Sequence, residues 1–201
     1  MSDPTYRAAV GSQVVDLPLV KLDDDLGIAL LISVDLGVAF CERAAAELVA
    51  RLGAVEVELV VSVATMGIPL AVEVTRRLGL DQYVILHKTP KIHLANAVAE
   101  PVRSITTAVE QRLLLDRRRI PAVRGRRVAL IDDVVSTGAS AAAALRLLRG
   151  VGAVPVAVGT LVTEGQLWRS ALGADAALVH ALGSLPLFRP HGDGTFEPRA
   201  D

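Results

Sequence analysis

The chain is expected to fold as an α/β protein built on a doubly wound parallel sheet, and three observations predict it. Apolar runs of strand length at residues 58–63, 82–87, 128–131 and 154–162 alternate with helix-length amphipathic or Ala-rich stretches, the order that right-handed β-α-β crossovers produce. The tetrad Val128–Ile131 is apolar at every position, as in a strand covered on both faces. Small, hydroxylic and acidic residues follow two of the runs, at Ala64–Gly67 and Asp132–Ser140, at the carboxyl ends of strands where open α/β sheets bind ligands.

In order, Tyr6–Val20 and Gly27–Ser33 alternate apolar with polar residues on either side of the acidic turn Asp23–Asp25 and read as the strands of a hairpin. Asp35 is placed to N-cap a helix over Leu36–Leu52, with Phe40, Ala44, Leu48 and Leu52 on one face and Gly53 as its stop. A buried strand over Glu58–Val63, a turn at Ala64–Gly67 and a helix through Leu78 closed by Gly79 come next, then a strand at Gln82–His87. Lys88–Arg103 mixes Pro, Lys and small residues and reads as a long loop of the kind that serves as a lid. A helical or extended segment around Thr107–Arg119 leads to the strand before Asp132, the helix around Ala141–Leu148 and a strand at Val154–Val162. The core is therefore expected over about residues 35–162 of a single domain. A smaller hood is expected from residues 1–34 and 163–189, and a loosely ordered tail over 190–201.

Composition narrows the function classes. The 201 residues are 52% hydrophobic and 21% charged, a globular composition with enough apolar surface for one core. With 21 basic against 22 acidic residues the formal net charge is −1, so no global field favours nucleic acid or a membrane surface. Cys41 is the only cysteine, which excludes an internal disulfide and a Cys-built metal cluster and fits a reducing, cytoplasmic setting. The start lacks a basic segment followed by an apolar core, and no run of spanning length is free of charge, so neither a secretory signal nor a membrane helix is expected.

The chemistry concentrates in VALIDDVVSTGAS, residues 128–140. Asp132 and Asp133 stand at the end of a strand, and Ser136, Thr137, Gly138, Ala139 and Ser140 open a helix. Their free backbone N–H groups, small hydroxyls and the positive end of the helix dipole make an anion cradle without a cationic side chain. Adjacent carboxylates accept hydrogen bonds from a vicinal diol. A phosphate at one end and a diol at the other describe a ribose 5-phosphate. The other anion cradle stands at Ala64, Thr65, Met66 and Gly67, again after a buried strand and before a helix. Three decoys fall away. Gly150-Val151-Gly152 follows a helix and precedes a strand, the reverse of a dinucleotide fingerprint, the four histidines lack metal-ligand spacing, and no triphosphate loop motif occurs.

The run at 128–140 resembles the phosphoribosyl pyrophosphate (PRPP) signature of the type I phosphoribosyltransferases: four apolar residues, two acids, two apolar residues, Ser/Thr, Thr, Gly and two small residues. That resemblance implies the type I phosphoribosyltransferase fold with its hood. It assigns Asp132 and Asp133 to the ribose hydroxyls, and Val135 with Ser136–Ser140 to the 5-phosphate. The segment MGIPLA resembles the pyrophosphate loop of purine phosphoribosyltransferases and of the purine operon repressor's effector domain, which implies pyrophosphate contacts from Ala64–Gly67. Lys88 and Lys91 in HKTPK resemble the cations at the base of the family's mobile loop, with Arg103 at its far end; Lys88 joins the acid pair as a catalytic candidate. The base would lie between Val134 or Val135 and a C-terminal lobe to which Thr163, Glu164 and Trp168 are the candidates. The resemblance further implies Mg²⁺ held through PRPP and water rather than by direct protein ligands, and a homodimer. The activity it implies is transfer of ribose 5-phosphate to a purine, adenine first and xanthine next. The alternative is a PRPP-sensing regulatory protein related to the purine operon repressor, although residues before Leu36 are too few and too strand-like for a winged helix.

Overall fold

The computed structural model describes residues 4–94, 96–102 and 111–199. The chain runs through β1 (Thr5–Val10), β2 (Gln13–Lys21), β3 (Gly27–Ala29), α1 (Val38–Leu52), β4 (Leu59–Val63), α2 (Ile68–Arg77), β5 (Tyr83–Leu86), β6 (Val98–Val102) and β7 (Gln111–Leu115). It continues through α3 (Ile120–Val123), β8 (Arg127–Val135), α4 (Ala139–Gly150), β9 (Val154–Glu164), α5 (Leu167–Leu172), β10 (Val179–Leu185), β11 (Phe188–Pro190) and β12 (Phe196–Pro198).

The expected doubly wound parallel sheet is present, in the order β10-β9-β8-β4-β5 with every neighbouring pair parallel. Its centre shows why consecutive apolar residues were required. Ala129 and Ile131 of β8 join the core beneath α1 and α2, whereas Val128 and Leu130 join the core beneath α4. All four are fully buried, each large aliphatic side chain contributing about 1.5–3 kcal/mol. On α1 the predicted face of Phe40, Ala44, Leu48 and Leu52 is buried.

Five local expectations are corrected. Tyr6–Val20 is not one strand but two, β1 and β2, folded at Gly11 (φ +60°), a backbone region open to glycine. Asp35 does not cap α1: it lies in a 3₁₀ turn, and Gly37 at φ +81° separates that turn from the helix, which starts at Val38. The stretch Lys88–Arg103 is not all loop, because β6 pairs antiparallel with β7. That ribbon continues the edge of the sheet through paired bonds between His87 and Leu114 (2.9 and 2.8 Å). It is tied to α4 by Arg146, which donates to Glu100 Oε1 at 2.7 Å and to the Pro101 carbonyl at 3.2 Å. Its strands are short and one contains Pro101, so local pattern hid the pairing.

The sheet also continues past residue 162, since β10 adds a fifth parallel strand in the region assigned to the hood. The tail is ordered through Arg199: β12 pairs with β11, completing a five-stranded antiparallel sheet of order β1-β2-β3-β11-β12. Phe188 anchors this lobe, fully buried and edge-on to Tyr6 with ring centroids 5.2 Å apart. Among the described residues no helix is long and apolar enough to cross a membrane.

Candidate functional site

A cavity of about 310 Å³ opens at the carboxyl ends of β4, β5 and β8. Its wall gathers segments far apart in sequence: Val63–Met66 after β4, Lys88 after β5, Asp132–Gly138 from β8 and its turn, and Ser140 and Ala141 from the first turn of α4.

The turn after β8 enters a helix through a left-handed glycine. Gly138 takes φ +78° as the N-cap of α4, and the turn folds back on itself with the Ala139 N–H donating to Thr137 Oγ1 at 3.4 Å. A Cβ at Gly138 would lie 2.9 Å from Trp168 Cα and 3.1 Å from its carbonyl oxygen, so α5 presses directly on the turn. Trp168 itself is 4% exposed and donates from Nε1 to the Gly165 carbonyl at 3.1 Å. It packs behind the turn and does not line the cavity.

The two carboxylates share one wall. The Asp133 N–H donates to Asp132 Oδ1 at 3.1 Å, and the Thr160 hydroxyl donates to the Asp133 carbonyl at 2.7 Å. Burial pushes the Asp132 carboxyl well above the ordinary aspartate range; the Asp133 charge beside it adds to the rise and the Lys88 ammonium opposes it.

Across the cavity, the turn after β4 presents a second set of amides. The peptide between Ala64 and Thr65 is cis. The Ser33 hydroxyl donates to the Met66 carbonyl at 2.5 Å and holds the turn from below. The Ala64 N–H, expected to face an anion, donates instead to the Leu86 carbonyl at 2.8 Å, and the backbone bonds among the described residues leave the N–H groups of Thr65, Met66 and Gly67 unused. A Cβ at Gly67 would sit 2.6 Å from both Asp132 Oδ1 and Ser62 Oγ. Ser62 is fully buried and its hydroxyl has no hydrogen-bond partner among the described residues.

This constellation has relatives. Residues 36–173 match the phosphoribosyl transferase domain family. The chain belongs to that family. It is 27% identical over 180 residues to a xanthine phosphoribosyltransferase of Laribacter hongkongensis, covering 88% of this chain and 90% of that protein. It is 33% identical over 109 residues to the transcriptional regulator GfcR 1 of Methanosarcina barkeri, covering 54% of this chain and 47% of the regulator. The fold superposes on the adenine phosphoribosyltransferase of Thermoanaerobacter pseudethanolicus with a TM-score of 0.70 at 17% identity, over 84% of this chain and 95% of that one. The sheet with its hood is thus the type I phosphoribosyltransferase fold, and the chain is an enzyme of the transferase class.

Most residues singled out from the family's motifs meet in the cavity: Asp132, Asp133, Val134, Val135, Ser136, Thr137, Gly138, Ser140, Ala64, Thr65, Met66 and Lys88 line it. Ala139 starts α4 just behind this wall, and Gly67 caps α2 against Asp132. Lys91 is exposed and off the wall. Arg103 lies outside the described residues. Thr163 and Glu164, the candidates for the base, are 8% and 6% exposed and do not reach the cavity wall. Thr160, Ser62 and Ser33 were missed, although the first two were signalled as hydroxyls inside the apolar runs of β9 and β4.

Proposed function

We propose that the protein transfers ribose 5-phosphate from PRPP to a purine base, releasing pyrophosphate and forming the nucleoside monophosphate. The observation that carries this reading is the division of one cavity wall into two amide turns with a carboxylate pair between them. A ligand with phosphates at both ends and a diol in the middle matches that order. The turn Ser136–Ser140 would take the 5-phosphate, Asp132 and Asp133 the ribose hydroxyls, and Thr65–Gly67 with Lys88 the pyrophosphate. The nearly full-length similarity to a xanthine enzyme places xanthine beside adenine as the acceptor to test.

Ribosyl transfer develops positive charge on the sugar and negative charge on the leaving group. Carboxylates beneath the ribose favour the first, and the amides of Thr65–Gly67 and Lys88 favour the second. The donor set also fits Mg²⁺. The described residues hold no group of three metal-ligating side chains, whereas two carboxylates line the same cavity as the turn proposed for the pyrophosphate. Mg²⁺ keeps its waters and substrate phosphates and takes few protein ligands. When bound it would neutralise charge on the departing pyrophosphate. Asp132 and Asp133 would hold the ion through its water shell.

Incubating the protein with PRPP, Mg²⁺ and each nucleobase in turn tests the proposal. Adenosine or xanthosine monophosphate is expected together with pyrophosphate; no monophosphate from any base overturns it. The similarity to GfcR 1 supports a second reading, a regulator that binds PRPP without consuming it. Saturable PRPP binding without turnover on any base would favour that reading.

A further inference from the structure

We propose that Ser33 is a positioning residue for the pyrophosphate turn: its hydroxyl, brought in from the segment between β3 and α1, holds the Met66 carbonyl and so aims the Gly67 N–H at the leaving group. This inference rests on the proposed function and deepens it, by naming a residue off the cavity wall that sets the affinity of the pyrophosphate end alone.

The carbonyls of the turn are held from different places. The Thr65 carbonyl accepts from the Ile68 N–H at 3.2 Å and the Gly67 carbonyl from the Ala71 N–H at 3.0 Å, so the start of α2 fixes both. The Met66 carbonyl is left out of that ladder: among the described residues no backbone N–H donates to it, and its donor is the Ser33 hydroxyl at 2.5 Å. Met66 lines the cavity whereas Ser33 is fully buried, so this bond runs from the turn into the interior. The Met66–Gly67 peptide is trans, and in a trans peptide the C=O and the N–H point in opposite directions. A grip on the Met66 carbonyl from the interior therefore turns the Gly67 N–H outward, toward a bound anion.

Ser33 is itself anchored on its far side. It opens the 3₁₀ turn Ser33–Leu36 that precedes α1, and its carbonyl accepts from the Cys41 thiol of that helix at 3.8 Å. The path from α1 to the pyrophosphate turn thus passes through one hydroxyl. A serine hydroxyl has a single proton to donate, and here it is given to Met66. Without it the Met66 carbonyl loses that donor, and the peptide behind the Gly67 N–H is no longer fixed in its plane. The opposite cradle shares none of these contacts, because the turn before α4 is backed by Trp168 and Ala171 at Gly138. Ser33 thus acts on the pyrophosphate through the turn and leaves the sugar phosphate alone.

The test compares two ligands on the same variants: pyrophosphate with Mg²⁺, by calorimetric titration, and ribose 5-phosphate, by the fluorescence of Trp168, the only tryptophan. For Ser33→Ala, about a tenfold rise in the Kd of pyrophosphate and in the KM of PRPP is expected, the loss of one hydrogen bond to a charged group. The Kd of ribose 5-phosphate and the KM of the base should stay within about twofold. Ser33→Thr and Ser33→Val share a shape and separate the hydroxyl from packing. Both crowd a buried position and should lower the Tm, but Ser33→Thr should keep the pyrophosphate Kd within about threefold of wild type while Ser33→Val loses about tenfold. An unchanged pyrophosphate Kd in Ser33→Ala, equal losses for both ligands in that variant, or a Ser33→Thr as weak as Ser33→Val overturns the proposal. Should the two larger variants fail to fold, Ser33→Ala, which adds no atoms, carries the test through the ratio of the two affinities. Failure of the wild-type protein to bind either pyrophosphate or PRPP would instead remove the function from which the inference starts.

Discussion

Gly67 stands directly against Asp132: a Cβ at residue 67 would lie 2.6 Å from Asp132 Oδ1 and 3.0 Å from its Cα. The backbone of Gly67 is ordinary right-handed helix, φ −70° and ψ −17°, so the position needs glycine for closeness and not for conformation. Helical propensity alone would make Gly67→Ala stabilising by about 0.4–1 kcal/mol. Contact with Asp132 reverses the sign, because the start of α2 must back away from β8, at a cost of about 1–3 kcal/mol. We expect a fall in Tm of about 2–10 °C and a raised KM for PRPP. A Tm above wild type, read by thermal melting, would show that the two segments are not held in contact.

Asp132 itself predicts a pH dependence. Burial raises its folded-state pKa above the unfolded value. Its contribution to stability is therefore fully present below the unfolded value and is lost as pH rises through the folded one, because the native state must then carry a poorly solvated charge beside Asp133. Asp132→Asn removes that charge while keeping the shape. The variant should be more stable than wild type at neutral pH, by a few degrees in Tm on the order expected for about 1–2 kcal/mol, and the gain should shrink toward pH 4. A gain independent of pH between 4 and 8 would contradict the raised Asp132 carboxyl.

The same pair predicts a loss of turnover without a loss of fold. With Asn at both 132 and 133 the wall keeps its volume but can no longer answer positive charge developing on a ribose. A fall in kcat/KM of at least about 100-fold is expected, the scale of removing one electrostatic contact from a preorganised site, with unfolding still cooperative. Wild-type turnover in the double variant would show that the ribose lies elsewhere.

What sequence reasoning could reach follows from range. The parallel sheet, α1, α2 and α4 were legible because their signals are local: apolar runs, a helical stripe, and Gly53 and Gly79 as stops. The cradle at 128–140 was legible for the same reason, since strand, acids, turn and helix are contiguous. The β6-β7 ribbon and β12 were not, because these strands are short, β6 and β12 each contain a proline, and each pairs with its neighbour in the chain without an alternating apolar pattern to announce it. Glu164 was placed by analogy on the base. It lies instead at the end of β9, one residue past the Val135–Thr163 pair, buried and off the cavity wall, and register is a property of two strands together. Trp168 could be read as cavity lining or as packing until the approach of α5 to Gly138 was seen.

That approach yields the last prediction, on Gly138. Its left-handed backbone, φ +78°, penalises any side chain by about 1–2 kcal/mol. The wall formed by Trp168 Cα at 2.9 Å and Ala171 Cβ at 3.1 Å adds a steric cost. Gly79 separates the two effects. It has a similar φ of +69° with nothing within 4 Å of its Cβ position, so Gly79→Ala bears the backbone penalty alone. Gly138→Ala should therefore lower the Tm by several degrees more than Gly79→Ala, the excess matching about 1–3 kcal/mol of overpacking. It should also shift the Trp168 emission and weaken ribose 5-phosphate binding, while Gly79→Ala leaves both as in the wild type. Equal Tm losses for the two variants, with ribose 5-phosphate binding intact in Gly138→Ala, would mean that α5 yields freely and that the turn does not depend on the corner behind it.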